Sequence, residues 1–511
     1  MRQLCLLLLV AFVISACDNR LPTLVEETDE FKQSADAPFY HGVASGDPLQ
    51  DAVIIWTRVT PSVQTSVVEV QWAISAQADM SDPIQVGSSV ADSAADYTVK
   101  VDVKQLLPGS RYYYQFEALG SKSPVGKTKT SPEEADEVVF AVVSCSNYEF
   151  GYFNGYGAIA SEEIDAVLHL GDYIYEYGPG VYGDSTVDRK HLPAKELISL
   201  RDYRTRYAQY RLDPDLKDAH INHPFIMIWD DHEISNNSYK DGAQNHQADE
   251  GDYQTRRDAA VQAYYEWMPV RSSEQLYRTF SYGEQVDLIM LDERLAGRTQ
   301  PADSLDDPSL QDASRTMLGK EQLDWFLDQL TSSKAKWKVI GNQVIFSYLN
   351  WGHETFNINL DSWDGYPGEQ AIIADLIRDN QIENVVFVTG DTHSAWGFEA
   401  THQPFDDYNP TTGEGAYAIE FGTTSINSGN SNERMSDEEV LAHEVKIANS
   451  PLNPHLKYTN MRDHGYLIIT LSDKEVLATW KYTETPRERN RSIKSSVSMK
   501  SASGSNRLES L

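Results

Sequence analysis

The sequence predicts an α/β domain built on a largely parallel sheet buried on both faces, preceded by a small β-sandwich. Two patterns carry that prediction. Continuous apolar runs at Val138–Val143, Ile164–Leu170, Phe225–Trp229, Val286–Leu291, Trp337–Ile340 and Val385–Val388 are separated by helical stretches such as Tyr253–Trp267 and Glu321–Leu330. Strands that are apolar throughout and alternate with helices are covered on both sides, as in parallel sheets. Upstream, from His41 to about Leu119, the period is two: Val68, Val70, Trp72 and Ile74 alternate with other residues, as do Tyr97, Val99, Val101 and Val103. That is the signature of half-buried antiparallel strands.

Taken in order, Met1–Ala16 has one early charge at Arg2, an apolar stretch from Leu4 to Ile14, and then Ser15-Ala16-Cys17. It resembles a bacterial lipoprotein signal (1–16), in which cleavage precedes Cys17 and the thiol is lipidated. An ordinary secretory peptide cut nearby, or a short membrane anchor, is the alternative. The stretch is too short to span a bilayer. The expected location is the cell envelope or periplasm, lipid-anchored, and Asp18, which resembles an inner-membrane retention signal, points to the inner membrane. Residues 17–37 are polar and unpatterned and read as a tether. Residues 38–120 form the sandwich, completed by a turn and aromatic strand at L-L-P-G-S-R-Y-Y-Y-Q-F (106–116) as in fibronectin-like domains. The Ser-, Lys-, Pro- and Glu-rich stretch 121–136 reads as a linker and 137–485 as the main domain. The basic, serine-rich tail 486–511 is expected to be disordered.

The 511 residues, 41% hydrophobic and 11% aromatic, suffice for one large and one small packed domain. The formal charge of −34 becomes −35 once Met1–Ala16, which carries only Arg2, is subtracted. Such a surface repels polyanions, so stable nucleic-acid binding is not expected. It suits divalent cations, although most of the 77 acids simply form a solvated face. The chain is taken to be monomeric. Of three cysteines, Cys5 and Cys17 belong to the export signal, which leaves Cys145 with no intrachain disulfide partner.

The residues at the end of each apolar run carry the chemistry: Cys145 and Asn147, Asp172 and Tyr175, Asp230 to His232, Asp292 and Arg294, Asn342 and Gln343, then Asp391 and His393. In open α/β sheets ligands bind beyond the carboxyl ends of the strands, so acids, amides, histidines and a thiol gather at one edge. V-A-S-G-D around Ser45 lacks the G-x-S-x-G spacing of a serine hydrolase.

The chain resembles the PhoD-like alkaline phosphatases and phosphodiesterases, within the calcineurin-like metallophosphoesterase superfamily. The resemblance runs in order through H-G-V-A-S-G-D-P-L-Q-D-A-V-I-I-W-T-R-V-T-P (41–61), S-C-S-N-Y-E-F-G-Y-F (144–153), H-L-G-D-Y-I-Y-E-Y-G (169–178), R-D-Y-R-T-R-Y (201–207), W-D-D-H-E (229–233), L-D-E-R (291–294), G-N-Q-V-I-F-S (341–347) and V-T-G-D-T-H-S-A-W (388–396). It implies a fibronectin/Ig-like β-sandwich followed by a four-layer α/β/β/α metallophosphoesterase domain. Asp172 matches the acid that bridges two metals, a task suited to the two oxygens of a carboxylate. Tyr175 matches the phenolate that binds iron(III) in related purple acid phosphatases. Cys145 stands where most of the superfamily has an aspartate, and thiolate with phenolate favours iron.

Asp231 falls where an asparagine is usual and favours a hard cation such as calcium. An amide from Asn236 or Asn237 is implied for the calcium shell. Asp391 and His393 match the final motif. His232 matches the histidine that touches the reacting phosphate, and Asn147 is a further candidate catalytic residue. Arg294 either clamps a phosphate oxygen or forms a structural ion pair. The implied activity is hydrolysis of phosphodiesters and/or phosphomonoesters at alkaline pH, for phosphate scavenging, with Fe(III) and Ca²⁺ as cofactors. The alternative is a non-catalytic metal-containing lipoprotein that binds polysaccharide or a partner.

Overall fold

The structure is a computed structural model and describes residues 33–511, apart from Gln64, Glu354, Thr355, His402, Gln403 and Asp406. The signal segment, Cys17, Asp18 and most of the tether lie outside the described residues. Two large sheets form the main domain. One has ten strands, in the order Glu509–Ser510, Ile493–Ala502, Glu475–Thr483, Gly465–Ser472, Glu137–Val143, Ala166–His169, Pro224–Met227, Val43–Gly46, Ala52–Arg58 and Thr98–Lys104. The other has seven, in the order Arg278–Tyr282, Val286–Met290, Trp337–Gly341, Val385–Thr389, Ala416–Gly422, Ala395–Thr401 and Leu456–Asn460.

The apolar runs occupy the parallel centres of both sheets. Alternation along each strand divides a run between two cores. In Val286–Met290, Leu288 and Met290 face the core between the sheets, while Ile289 faces a second core under the helices Gly319–Ser332 and Pro367–Asp379. Val339 and Ile340 divide in the same way, as do Val386 and Phe387. On the far side of the ten-stranded sheet, the helices Leu200–Arg211, Pro214–Asn222 and Tyr253–Trp267 bury Tyr203, Tyr207, Leu216 and Trp267. Helix, sheet, sheet and helix form the four expected layers.

The sandwich is less separate than its sequence suggests. Its outer sheet contains Pro83–Asp92, Val67–Ser75, Arg111–Ala118, Ser121–Lys122 and Gly126–Lys129. Its inner sheet is Val43–Gly46, Ala52–Arg58 and Thr98–Lys104, and this continues into the main sheet because Ser45 and Gly46 pair in parallel with Pro224 and Phe225. Val53, Ile55 and Val99 therefore face the sandwich core, whereas Trp56 faces the main one.

Two expectations are corrected. The 121–136 linker contributes two strands, paired with Arg111–Ala118, so the sandwich extends through its first half. The 486–511 tail is not disordered. Ile493–Ala502 pairs along the whole of Glu475–Thr483, burying Met499, while Ser501 is fully enclosed and Leu508 nearly so. Its arginines are equally engaged, Arg489 on Asp213 and Asp215, and Arg491 on Asp215 and Asp218. Serine and lysine dominate because one face of this strand is exposed. Among the described residues, no helix is long and apolar enough to cross a membrane.

Candidate active site

Loops from both sheets converge where the parallel strands end, and several of the converging residues hold unusual backbone. Cys145, Asp172, Asp391 and His393 all adopt left-handed conformations, with φ of 59°, 56°, 62° and 54°. Non-glycine residues enter that region at a cost, and such outliers cluster at functional sites. The turns are braced from beneath. Glu233 accepts from the backbone N–H groups of Asp172 at 3.0 Å, Tyr173 at 2.5 Å and Asp230 at 2.8 Å. Arg206, on the helix Leu200–Arg211, donates to the carbonyls of Tyr175, Tyr177 and Leu192.

Three ligand-capable groups result, each with its donor atoms within 4.8 Å of one another: Cys145, Asp172 and His393; Asp172, Asp231 and His232; and Asp230, Asp231 and Asp391. Asp172 and Asp231 are shared, so the groups form one continuous cluster. Tyr175 joins its first part, donating to Asp172 Oδ2 at 2.9 Å and lying 3.1 Å from His393 Nε2. His393 Nδ1 donates to the Gly429 carbonyl at 2.9 Å, which leaves Nε2 as the coordinating nitrogen. The second part is all oxygen. Asn236 and Asn237 stand beside it in the cleft wall. Asn236 donates its side-chain amide to Gln244 at 2.7 Å, leaving its carbonyl oxygen as the ligand-capable atom, while the Asn237 backbone N–H donates to Asp231.

The electrostatics call for a cation. Burial, reinforced by neighbouring acids, pushes Asp172 well above the carboxylate range. Burial likewise raises Asp230 to about 8 and Asp391 to about 7, and drives the Cys145 thiol and Tyr175 phenol upward. Burial opposes charge on Asp231 as well, yet His232 and Arg294 hold it down at about 2. Asp230 Oδ2 and Asp231 Oδ1 are buried without a hydrogen-bond donor among the described residues. A polyvalent cation would stabilise all the ionised forms together. The donor set fits two: sulfur, phenol, imidazole and carboxylate on one side of Asp172, and carboxylates with an amide on the other.

His232 sits over the cluster with its ring centroid 4.2 Å from that of Tyr175 and its Nδ1 2.7 Å from Glu176 Oε2. It opens into a cleft of about 570 Å³ lined also by Tyr177, Val181, Tyr182, Phe356 and Arg434. Two sequence candidates lie elsewhere. Arg294 is fully buried behind the acids, 2.5 Å from Asp230, 2.7 Å from Asp361, 3.5 Å from Asp391 and 3.8 Å from Asp231. It is a counter-ion of the cluster and does not reach the cleft as a phosphate clamp. Asn147 caps the turn Tyr148–Phe150 through Glu149 N and donates to the Tyr182 carbonyl at 3.1 Å, so it is a strut. Glu176 and Glu233 escaped sequence reasoning, since nothing in pattern alone separates them from the other acids, whereas Asp230 was legible as a strand-end acid but not as a member of the cluster.

A two-sheet sandwich with a shared-carboxylate cluster at its strand ends defines a metallohydrolase of the phosphoesterase type. Residues 140–480 match the PhoD-like phosphatase family, and residues 25–132 match its N-terminal domain. Alkaline phosphatase D of Bacillus subtilis (strain 168) is 37% identical over 471 residues, covering 87% of this chain and 77% of that protein. A solved structure of PhoD superposes with a TM-score of 0.83 at 33% identity, over 94% of this chain and 93% of the other. The chain belongs to the PhoD-like phosphatase family. It is a metal-dependent hydrolase acting on phosphate esters, which sets aside the non-catalytic alternative.

Proposed function

We propose that this phosphoesterase works with iron(III) held by Cys145, Tyr175, His393 and Asp172, and with calcium held by Asp172, Asp231, Asp391 and the amide of Asn236. The observation that carries this reading is the division of one buried cluster, about the shared Asp172, into a soft-donor half and an all-oxygen half. When bound, the two cations neutralise phosphoryl charge and acidify a water. The chain does the rest. Asp172, Asp231 and Asp391 would position the phosphoryl group through the cations they hold, with Asp172 and Asp231 buried at the cleft floor. Glu176 holds the His232 ring at Nδ1, leaving Nε2 to give a proton to the departing ester oxygen as the P–O bond breaks. Nothing in this scheme needs Ser45, which is fully buried in its strand.

Phosphodiesters are the preferred substrates in this reading, because Tyr177, Val181 and Phe356 line the same cleft as His232 and give a second ester group a surface to lie on. The protein works at alkaline pH from the cell envelope, tethered through a lipid on Cys17. The tether is supported by the apolar Leu4–Ile14 stretch and by Ser15-Ala16 before the cysteine.

The test compares hydrolysis of bis(4-nitrophenyl) phosphate and 4-nitrophenyl phosphate at alkaline pH, before and after chelation and calcium restoration. Activity should vanish and return, the diester should be faster, Asp172→Asn should be inactive and Ser45→Ala active. An active Asp172→Asn would end the scheme. Mass spectrometry of the mature N-terminus tests the anchor, and an unmodified Cys17 would remove it.

A further inference from the structure

We infer that Arg434 forms a second anion subsite, which selects phosphodiesters carrying a further phosphate beside the scissile one. The inference rests on the phosphodiesterase reading above and deepens it. Among the described residues, Arg434 is the one lysine or arginine that lines the cleft; Asp172, Asp231 and Asp391 line it too, as does His232. A cation retained at the mouth of an acidic cleft, in a chain of formal charge −34, is placed to draw in an anion.

Its surroundings leave the guanidinium to a ligand. The obvious internal partner is the adjacent Glu433, but that carboxylate is already taken. Arg487 Nη2 lies 3.0 Å from Glu433 Oε2, and His464 Nε2 lies 3.9 Å from Oε1. Arg434 forms no ion pair among the described residues. The loop that carries it is nevertheless fixed. Ser425 Oγ donates to Asn430 Oδ1 at 2.7 Å, and Ser431 N donates to the Met461 carbonyl at 3.0 Å. The same loop supplies the Gly429 carbonyl to His393 and the Ser428 hydroxyl to Tyr175. Arg434 is thereby held in register with the cluster.

Depth separates the two phosphates. Asp172, Asp231 and His232 are buried on the cleft floor, where the scissile group must sit, whereas Arg434 is exposed at the rim. Tyr177, Val181, Tyr182 and Phe356 lie along the same cleft and offer an aromatic and apolar surface to the group between the phosphates. A planar guanidinium fork can bond two oxygens of a second phosphate at once, which a point charge cannot.

The experiment uses two chromogenic diesters that differ by one group: thymidine 5′-(4-nitrophenyl phosphate) and its 3′-phosphorylated form. Wild type should favour the 3′-phosphorylated ester at least tenfold in kcat/KM, mainly through KM, and the preference should shrink as NaCl rises. Arg434→Gln should lower kcat/KM for the 3′-phosphorylated ester at least tenfold more than for the other, and Arg434→Lys should restore part of it. No preference in wild type, a preference that survives Arg434→Gln, or an equal loss on both esters would overturn the subsite. Hydrolysis of neither ester by metal-loaded wild type would instead sink the phosphodiesterase reading itself.

Discussion

Glu176 Oε2 lies 2.7 Å from His232 Nδ1, and both side chains are buried. The other oxygen of the same carboxylate accepts from Asn236 N at 2.7 Å and from Asn245 Nδ2 at 2.8 Å. Burial works against charge on Glu176, yet His232 and these hydrogen bonds keep it below the ordinary carboxylate range. One carboxylate thus sets the ring orientation of the proton donor and the position of the amide-bearing turn.

Glu176→Gln should therefore lower kcat by roughly 10- to 100-fold, the usual cost of losing an orienting carboxylate. The loss should be larger for a diester with an alkyl leaving group than for one releasing 4-nitrophenolate, which hardly needs a proton to depart. Steady-state rates on both substrate types check this. Equal losses would make Glu176 a purely structural residue.

The soft half of the cluster makes a separable prediction. Tyr175→Phe should abolish the visible phenolate-to-iron(III) absorption while calcium content stays near that of wild type. Cys145→Ser should reduce iron stoichiometry itself, since the thiolate donor is lost from a fully buried position. Metal analysis and an absorption spectrum on each variant decide the matter, and unchanged iron and colour in both would refute the assignment.

His169 makes acid stability predictable. Its Nδ1 accepts from Gly171 N at 3.2 Å, so Nε2 donates to Tyr156 Oη at 2.7 Å and the ring is neutral. Burial lowers its pKa from 6.5 to about 3. A depressed pKa contributes stability that is present above the unfolded value and lost as pH falls toward the folded one, here from 6.5 down to about 3. Between pH 7.5 and 5 the loss from this group is on the order of 2 kcal/mol. Urea unfolding of the chelated protein should show a shallower pH dependence in His169→Gln by that amount. Identical slopes would mean that the ring protonates without unfolding.

These cases show what a sequence can and cannot carry. The runs at 286–291 and 385–388 were legible because alternate residues feed two different cores, so every position must be apolar. Asp172, Asp231, His232, Asp391 and His393 were legible because they come directly after such runs. Side-chain direction was not. Asn147 and Arg294 have the right types and placement, but each turns away from the cleft to satisfy a backbone turn or a set of buried acids. Glu176 and Glu233 were hidden in an acid-rich chain, since their importance lies in which N–H groups they accept from. The strand Ile493–Ala502 was hidden because pairing to Glu475–Thr483, which its composition does not reveal, is what holds it.

That last strand leads to the prediction at the C-terminus. Arg487, just before it, donates to Asp184 at 2.7 Å and to Glu433 at 3.0 Å, and so ties the loop carrying Val181 and Tyr182 to the loop carrying Gly429 and Arg434. The arginine is 56% exposed, and exposed ion pairs contribute at most about 1 kcal/mol. Arg487→Gln should accordingly leave Tm almost unchanged while raising KM several-fold, because the two walls of the cleft are no longer held at fixed separation. Truncation after Thr485 is a different perturbation. It removes Met499 and Leu508 from the core between the sheets and bares the edge of Glu475–Thr483, an unpaired edge that invites aggregation. The truncated protein should be insoluble or lose at least about 10 °C in Tm. A truncated protein as stable as the full chain would show that the terminal strands contribute nothing to the sheet. A fall in Tm in Arg487→Gln comparable to that of the truncation would show that the tie is structural and has no separate role in shaping the cleft.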